Sequence, residues 1–199
     1  MKPCCILVTG IPASGKSTMA KYLSQQLGIP MFSKDAIKER LFDTLGFKSR
    51  EEKVRLGLTA MELMYDAARS CLACGQSVIL ENNFENTSKA GLAALLDEYR
   101  CDVITVMMNG DLRTIYERFA ERDQSPQRHR GHVVNDRYPE EPGSQKKHAP
   151  IPFEVFAQSM AARGMDCQPW NGVCIQVDTT DLNKIDSADV AAKLRAYMQ

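Results

Sequence analysis

A three-layer α/β/α domain built on a parallel sheet is the fold class this sequence predicts, and three observations predict it. Five short apolar runs, at 4–8, 30–32, 77–80, 103–108 and 173–177, read as buried strands. Between them lie segments whose apolar residues recur at helical spacing, and strands alternating with helices form a parallel sheet covered on both faces. The first run also leads through a glycine turn straight into a helical segment, a strand–turn–helix unit typical of such sheets.

That first turn reads Gly10-Ile11-Pro12-Ala13-Ser14-Gly15-Lys16-Ser17-Thr18, the G-x-x-x-x-G-K-[ST] spacing. Gly10 and Gly15 let the backbone bring its N–H groups onto phosphate oxygens. Lys16 adds a charge toward the β- and γ-phosphates, and Ser17 offers a hydroxyl to Mg²⁺. The N-terminus of the helix at 16–27 contributes its positive dipole end. An ordinary glycine turn is the alternative, but the strand before and the helix after favour binding of a nucleoside triphosphate.

The second strand runs into Ser33-Lys34-Asp35-Ala36-Ile37-Lys38, which opens a helix over 35–45. Asp35 is a candidate to accept a proton from an attacking hydroxyl, with Lys38 one turn on to hold an anionic substrate group. Helix capping would account for Asp35 as well. A long helix follows over 50–74. Ser49 and Glu52 have capping-box spacing, Val54, Leu58, Met61, Tyr65, Ala68 and Leu72 make an apolar stripe, and Gly75 closes it. Its Cys71-Leu72-Ala73-Cys74 has no second pair at metal-site spacing, so helix packing is favoured over a zinc or redox role.

The third strand ends in Glu81-Asn82-Asn83-Phe84. A carboxylate and two amides there are costly to bury without partners. Glu81 is a candidate for a Mg²⁺-bound water, and Asn83 for orienting a polar substrate; a plain polar turn is the alternative. Helices at 87–99 and 112–122 flank the fourth strand. From 123 to 152 the chain turns polar and carries Pro126, Pro139, Pro142, Pro150 and Pro152. The cluster Arg118, Arg122, Arg128, His129, Arg130 and His132 at its start favours a basic lid over about 118–152, rather than a solvated charged face. Cationic neighbours oppose a metal ion between His129 and His132.

A helix at 153–163 precedes the fifth strand. Asp178-Thr179-Thr180 after that strand is a candidate nucleotide-base loop, or a polar turn. Asn183-Lys184-Ile185-Asp186 matches the guanine-reading N-K-x-D, but it does not directly follow a strand and no D-x-x-G precedes it. The last helix is expected at 188–197. In a parallel sheet the four polar strand ends (after the first, second, third and fifth runs) face one crevice.

With 199 residues, 44 % hydrophobic and 25 % charged, the chain suits one domain with a full core. Its 25 basic and 25 acidic residues cancel, so no global charge draws it to nucleic acid or membrane. The early apolar run is too short for a signal-peptide core or a membrane span. Seven cysteines without a secretory signal are expected to stay reduced in the cytoplasm.

Assembled, these residues resemble a family of P-loop kinases, the AAA-type ATP-binding family that includes the kinase half of phage polynucleotide kinase, chloramphenicol phosphotransferase and the zeta toxins. The resemblance spans nearly the whole chain. It rests on the phosphate loop at 10–18, Ser33-Lys34-Asp35, Glu81-Asn82-Asn83-Phe84, Arg118 with Arg122, Arg128-His129-Arg130-Gly131-His132 and Asp178-Thr179-Thr180. It implies a kinase-like P-loop fold with five parallel strands, ATP and Mg²⁺ as cofactors, and a hydroxyl-bearing acceptor, a small molecule or a nucleic-acid 5′ end. By the same likeness Asp35 is the general base, and Lys38 stands where relatives place a substrate-binding arginine. Arg122, with Arg118 or Arg128, supplies the lid arginines, and Thr179 and Thr180 border the adenine. The absence of D-G-[FY]-P-R argues against a nucleoside monophosphate acceptor. The competing readings are an ATPase, with water as acceptor, and a nucleotide-sensing or toxin-type interaction protein.

Overall fold

The computed structural model describes residues 2–141, 143 and 149–198. Five strands, β1 (Cys4–Thr9), β2 (Met31–Ser33), β3 (Val78–Glu81), β4 (Asp102–Asn109) and β5 (Val173–Asp178), form one all-parallel sheet in the order β2-β3-β1-β4-β5. All five predicted strands are present, with ends shifted by at most one residue. β1 is central and buried along its whole length, which is why its sequence is apolar on both faces instead of alternating. Cys4, Ile6 and Val8 face α1 (Lys16–Leu27) and α8 (Ser187–Tyr197), meeting Met19, Leu23, Val190 and Leu194. Cys5 and Leu7 face the opposite layer, α3 (Arg50–Ala73) and α4 (Lys89–Tyr99), where Met64, Tyr65, Ala68, Leu92 and Leu95 close the second half of the core. Each fully buried strand side chain contributes roughly 1.5–3 kcal/mol.

The chain steps from β1 out to β2, back to β3, and then across β1 to β4. Connections therefore diverge beside the carboxyl end of β1, the place where open α/β sheets form a crevice. Register puts Val8 and Ser33 on either side of Glu81, and Asn109 beside Asp178, so the predicted polar strand ends are level with one another.

Two expectations need correction. Val54 and Leu58, placed in the apolar stripe of α3, are 52 % and 46 % exposed. The buried face there is Lys53, Gly57, Ala60 and Met61 instead, because the first turns of α3 pack on α2 (Lys34–Leu45), not on the sheet. Small residues at Gly57 and Ala60 allow that approach. Met61, Tyr65, Ala68 and Leu72 follow the predicted stripe. The helix is capped by Ser49, whose Oγ accepts from the Glu52 N–H at 3.2 Å. It ends in a Schellman turn, with the N–H groups of Gly75 and Gln76 donating to the carbonyls of Leu72 and Cys71.

The second concerns 123–152, whose polar sequence carries no apolar period and which nevertheless forms structure. α5 (Leu112–Gln124) enters it, the short α6 (Arg130–Val133) follows, and Tyr138 pairs with Phe47 across an isolated bridge. These residues close a separate apolar cluster of Phe42, Phe47 and Val134 against α2. His129 bonds Asp43 at 3.0 Å, and Arg130 holds Glu140 in a two-pronged pair at 2.7 and 2.8 Å. His129 and Arg130 of the basic cluster are thus spent on docking the segment. Pro142, and 144–148 within the predicted lid, lie outside the described residues. Among the described residues no helix is long and apolar enough to cross a membrane.

Candidate active site

The phosphate loop has the geometry its glycines predict. Gly10 has φ +139°, and a Cβ there would sit 2.3 Å from the Met108 carbonyl oxygen. Gly15 opens α1 in the left-handed region with no side-chain cap, so the first-turn N–H groups stay available. Ala13 also takes a left-handed φ of 68°, strain of the kind that functional loops hold. Ser14 Oγ is buried without a partner among the described residues. Lys16 is 7 % exposed, and its Nζ donates to the Ile11 carbonyl at 2.7 Å. Burial, only partly offset by Glu81 and Asp35, brings its pKa down to about 8.

Glu81 ends β3 buried, accepting from Ser33 Oγ at 2.5 Å. Burial raises its pKa, while Lys16, Ser33 and Ser17 pull the other way. Ser17 and Glu81 are therefore neighbours, a hydroxyl and a carboxylate that suit a hard cation. Asn83 lines the crevice, and its carbonyl accepts from Thr9 Oγ1 at 3.2 Å. Asn82 and Phe84 shape the turn: Asn82 Oδ1 accepts from the Asn83 N–H at 2.8 Å, and Phe84 is fully buried with φ 46°.

Asp35 lies in the first turn of α2, but Ser33 is the cap, its Oγ accepting from the Ala36 N–H. Asp35 is thus not the N-cap residue, while its place in the first turn suits the positive end of the helix dipole. Its carboxyl is crowded by protein yet open to the crevice. Burial pushes its pKa up, but His132, Lys34, Lys38 and Arg128 together hold it below the usual carboxylate value. His132 is placed by Glu39, whose Oε1 lies 2.9 Å from Nε2.

The opposite wall comes from α5 and the residues beyond it. Arg118 and Arg122 lie one turn apart with Phe119 between them. Asp123 sits 3.6 Å from Arg122 and 3.4 Å from Arg128. Arg118 Nη2 donates to the Thr179 carbonyl at 2.6 Å, while its Nε and Nη1 are buried without partners among the described residues. Lys16, Ser17, Asp35, Lys38, Glu81, Asn83, Arg118, Arg122 and Arg128 all border one cavity of about 550 Å³.

Asp178, Thr179 and Thr180 are not on its wall. Asp178 Oδ1 accepts from the Thr180 N–H, Thr180 Oγ1 accepts from the Asp111 N–H, and the Thr179 N–H donates to Asn109. They tie the ends of β4 and β5 together behind Arg118. Leu182 and Ile185 border a small apolar recess instead, beside Gly15, Thr18 and Met108. Lys34, Asp123, His132, Arg163 and Leu182 also line the cavities without having been singled out as site residues. Lys34 and Asp123 adjoin predicted residues, and His132 belongs to the basic cluster, whereas no local pattern marks Arg163 or Leu182. Among the described residues no three His, Cys, Asp or Glu groups are placed to hold a metal ion, and Cys71 packs against the core from the last turns of α3.

The profile of the AAA domain family matches residues 5–137. The chain belongs to this family. The AAA-type domain is similar along its full length to a presumptive kinase of Chloroflexus aurantiacus, at 30 % identity, 100 % coverage of both chains and a TM-score of 0.81. The fold is shared at lower identity with a gluconokinase of Sinorhizobium meliloti, at 16 %, covering 99 % and 98 % of the two chains with a TM-score of 0.54. It is also shared with the APS kinase of Mycobacterium tuberculosis solved with AMPPNP and APS, at 15 %, covering 99 % and 97 % with a TM-score of 0.55. No curated protein matches the AAA-type domain. Its fold is the kinase-like P-loop fold.

Proposed function

We propose that this protein is an ATP-dependent kinase that moves the γ-phosphate to a hydroxyl of a small molecule or a nucleic-acid 5′ end. One observation carries the reading: a carboxylate, Asp35, shares a crevice with the phosphate-loop lysine and faces arginines on the other wall. Water could use the same base, so it is the dependence of ADP release on an acceptor that separates a kinase from an ATPase.

In this reading the backbone of 10–18 and Lys16 hold the phosphates, and Arg118 with Leu182 flanks the nucleoside, Thr179 holding Arg118 there through its carbonyl and Thr180 bracing that turn against Asp111. Ser17, and Glu81 through a water, would hold Mg²⁺, which when bound neutralises the β- and γ-oxygens. Arg122, with Arg128, balances the charge on the transferring group. Asp35, kept ionised by its cationic neighbours, accepts the acceptor's proton, and Lys38 and Asn83 line the acceptor's place. The segment 118–152 serves as the lid within a single domain. A reducing cytoplasm suits seven free cysteines.

Asp35→Asn keeps shape and hydrogen-bonding reach but cannot take the proton. ATP affinity should stay within about twofold, while acceptor-dependent ADP release, read in a screen of hydroxyl compounds and 5′-hydroxyl oligonucleotides, falls by roughly 10²–10⁴-fold. Equal acceptor-dependent rates would remove Asp35 from the mechanism, and ADP release indifferent to every acceptor would favour the ATPase.

A further inference from the structure

The two described histidines each set Nε2 against a carboxylate of α2, and they differ in what the other ring nitrogen does. His129 bonds Asp43 at 3.0 Å, and its Nδ1 accepts from the Gly131 N–H at 3.1 Å, so both nitrogens serve to dock α6. His132 bonds Glu39 Oε1 at 2.9 Å, and among the described residues its Nδ1 has no hydrogen-bond partner. His132 also borders the crevice together with Asp35, which His129 does not. The His132 side chain is 8 % exposed against 37 % for Glu39, so the ring is inside while its carboxylate partner reaches water.

Asp35 and Glu39 are one turn apart on α2 and share the helix face against which α6 packs. Phe42, further along that face, meets the His132 ring edge-to-face with centroids 5.9 Å apart, and Lys53 Nζ holds the His132 carbonyl at 2.9 Å. The charged and titratable groups around the ring are Asp35, Lys38 and Glu39 from α2, Lys53 from α3, and Arg128 and His129 from its own segment. Burial keeps the imidazole below its ordinary pKa, with Glu39 and Asp35 opposing that and Arg128 and Lys38 adding to it, so the ring is neutral at pH 7. The bond from the ring holds the Glu39 carboxyl low and ionised. An ionised carboxylate only accepts, so Nε2 carries the ring proton and Nδ1 keeps its lone pair. A base whose carboxylate partner fixes the tautomer and steadies the imidazolium has this form.

We propose that the Glu39–His132 pair stores the proton that Asp35 takes from the acceptor. The inference rests on the kinase reading and deepens it. The acceptor oxygen forms a bond to the γ-phosphorus as the bond from that phosphorus to the β–γ bridging oxygen breaks. ADP leaves with the electron pair, and the hydroxyl proton passes to Asp35. The cations that hold Asp35 below the usual carboxylate value make it a poor keeper of a proton, and the imidazole is the stronger base. No direct hydrogen bond joins the two side chains among the described residues, so the proton crosses to Nδ1 by way of one water. The imidazolium then has two carboxylates, Asp35 and Glu39, to balance it, and it gives the proton to water once ADP has left. His132 thus acts through Asp35 and not on the acceptor, as a positioning residue for the proton.

The test reads the ring and the reaction separately, on the full chain. Nitrogen NMR of the histidine rings, with a non-hydrolysable ATP analogue and Mg²⁺ bound, needs no acceptor, and the His132 signals are identified by their loss in His132→Gln. Above its midpoint the ring should carry its proton at Nε2 and a lone pair at Nδ1, and the midpoint should fall in both Asp35→Asn and Glu39→Gln. A proton at Nδ1, or a midpoint that ignores Asp35→Asn, would overturn the proposal. In the second arm ADP release from ATP with Mg²⁺ is followed with glycerol, gluconate and a 5′-hydroxyl oligonucleotide as acceptor probes. At saturating ATP, kcat/KM for the probe should fall on the acid side with the midpoint that NMR gives for His132. His132→Gln should lower it by roughly tenfold or more at pH 7 and remove that limb, while the KM for ATP stays within about twofold. Glu39→Gln keeps an oxygen for the Nε2 proton and drops the charge, so it should lower kcat/KM severalfold and move the limb to lower pH with an unchanged urea midpoint. If both variants keep the parent rate and limb, the pair only docks α6 and the proposal fails while the kinase reading stands. ADP release that no probe accelerates would remove the kinase reading and the proton store with it, whatever the NMR arm says of the pair.

Discussion

Lys16 is an expensive residue to keep charged, since it is buried and its bonded partner is a carbonyl. Its pKa near 8 in the folded chain, against 10.5 for an unburied lysine, makes the cost depend on pH. Below about pH 8 the side chain is protonated folded and unfolded, and the full penalty is present. Between about 8 and 10.5 the folded protein sheds the proton first and the penalty fades. Lys16→Met should therefore stabilise the ligand-free protein by roughly 2 kcal/mol at pH 7, after the lost hydrogen bond to Ile11. That gain should vanish by about pH 10.5, as urea titrations across this range would read. The same variant should lose phosphoryl transfer, because the charge that destabilises the empty site is the one that meets the phosphates. Arg122 belongs to the other wall, and the charge it answers grows as the phosphoryl group transfers. Arg122→Ala should lower kcat by roughly 10²-fold or more while the ATP dissociation constant moves much less. A loss confined to affinity would reassign this arginine to ground-state binding.

At the scale of elements, the polar segment after α5 is fixed by three devices. Lys53 reaches from α3 to the carbonyls of His132 and Val134, at 2.9 and 2.5 Å, and to Asn135 Oδ1 at 3.1 Å, closing the C-terminal end of α6. Phe42 packs among Phe47, His129, His132 and Tyr138. Gly131 permits this contact, since a Cβ there would lie 2.4 Å from Phe42 Cδ2. Gly131→Ala must therefore displace α6 or the ring. A loss of roughly 1–3 kcal/mol is expected in urea unfolding. Transfer should fall along with stability, because Arg128 and His132 ride on the same short segment and border the crevice. Unchanged kinetics in a destabilised variant would show that α6 packs without positioning the site.

For the whole molecule, two core layers on either side of the sheet make a rigid base, while the crevice walls come from α2, α5 and the segment around α6. A nucleotide that touches several of these walls binds the folded chain and not the unfolded one. An ATP analogue with Mg²⁺ at about 100 times its dissociation constant should add roughly 2.7 kcal/mol. The melting temperature should then rise by roughly 5–10 °C. Trypsin cleavage at Arg122 and Arg128 should slow at the same concentration, since lids order around phosphate. A melting temperature that climbs while cleavage there stays constant would separate nucleotide binding from any movement of this segment.

The amino-acid sequence alone determined the strand–helix alternation, the phosphate loop and the strand ends bearing Asp35, Glu81 and Asn83, because each is written in contiguous residues by apolar period or by a short backbone requirement. It also determined that Arg118, Arg122 and Arg128 go together, since helical spacing and closeness along the chain carry that relation. Only the tertiary structure decided which side chains have partners. Packing of α3 on α2 exposes Val54 and Leu58 and buries Lys53, reversing what the helical stripe suggests. Ser33 takes the cap and leaves Asp35 to the crevice, Asp178 and the two threonines turn to brace β4 against β5, and Arg163 and Leu182 arrive from distant parts of the chain. Burial and pairing depend on contacts between elements far apart in sequence. A local pattern can show where a cation stands, but its counter-charge is set by the fold.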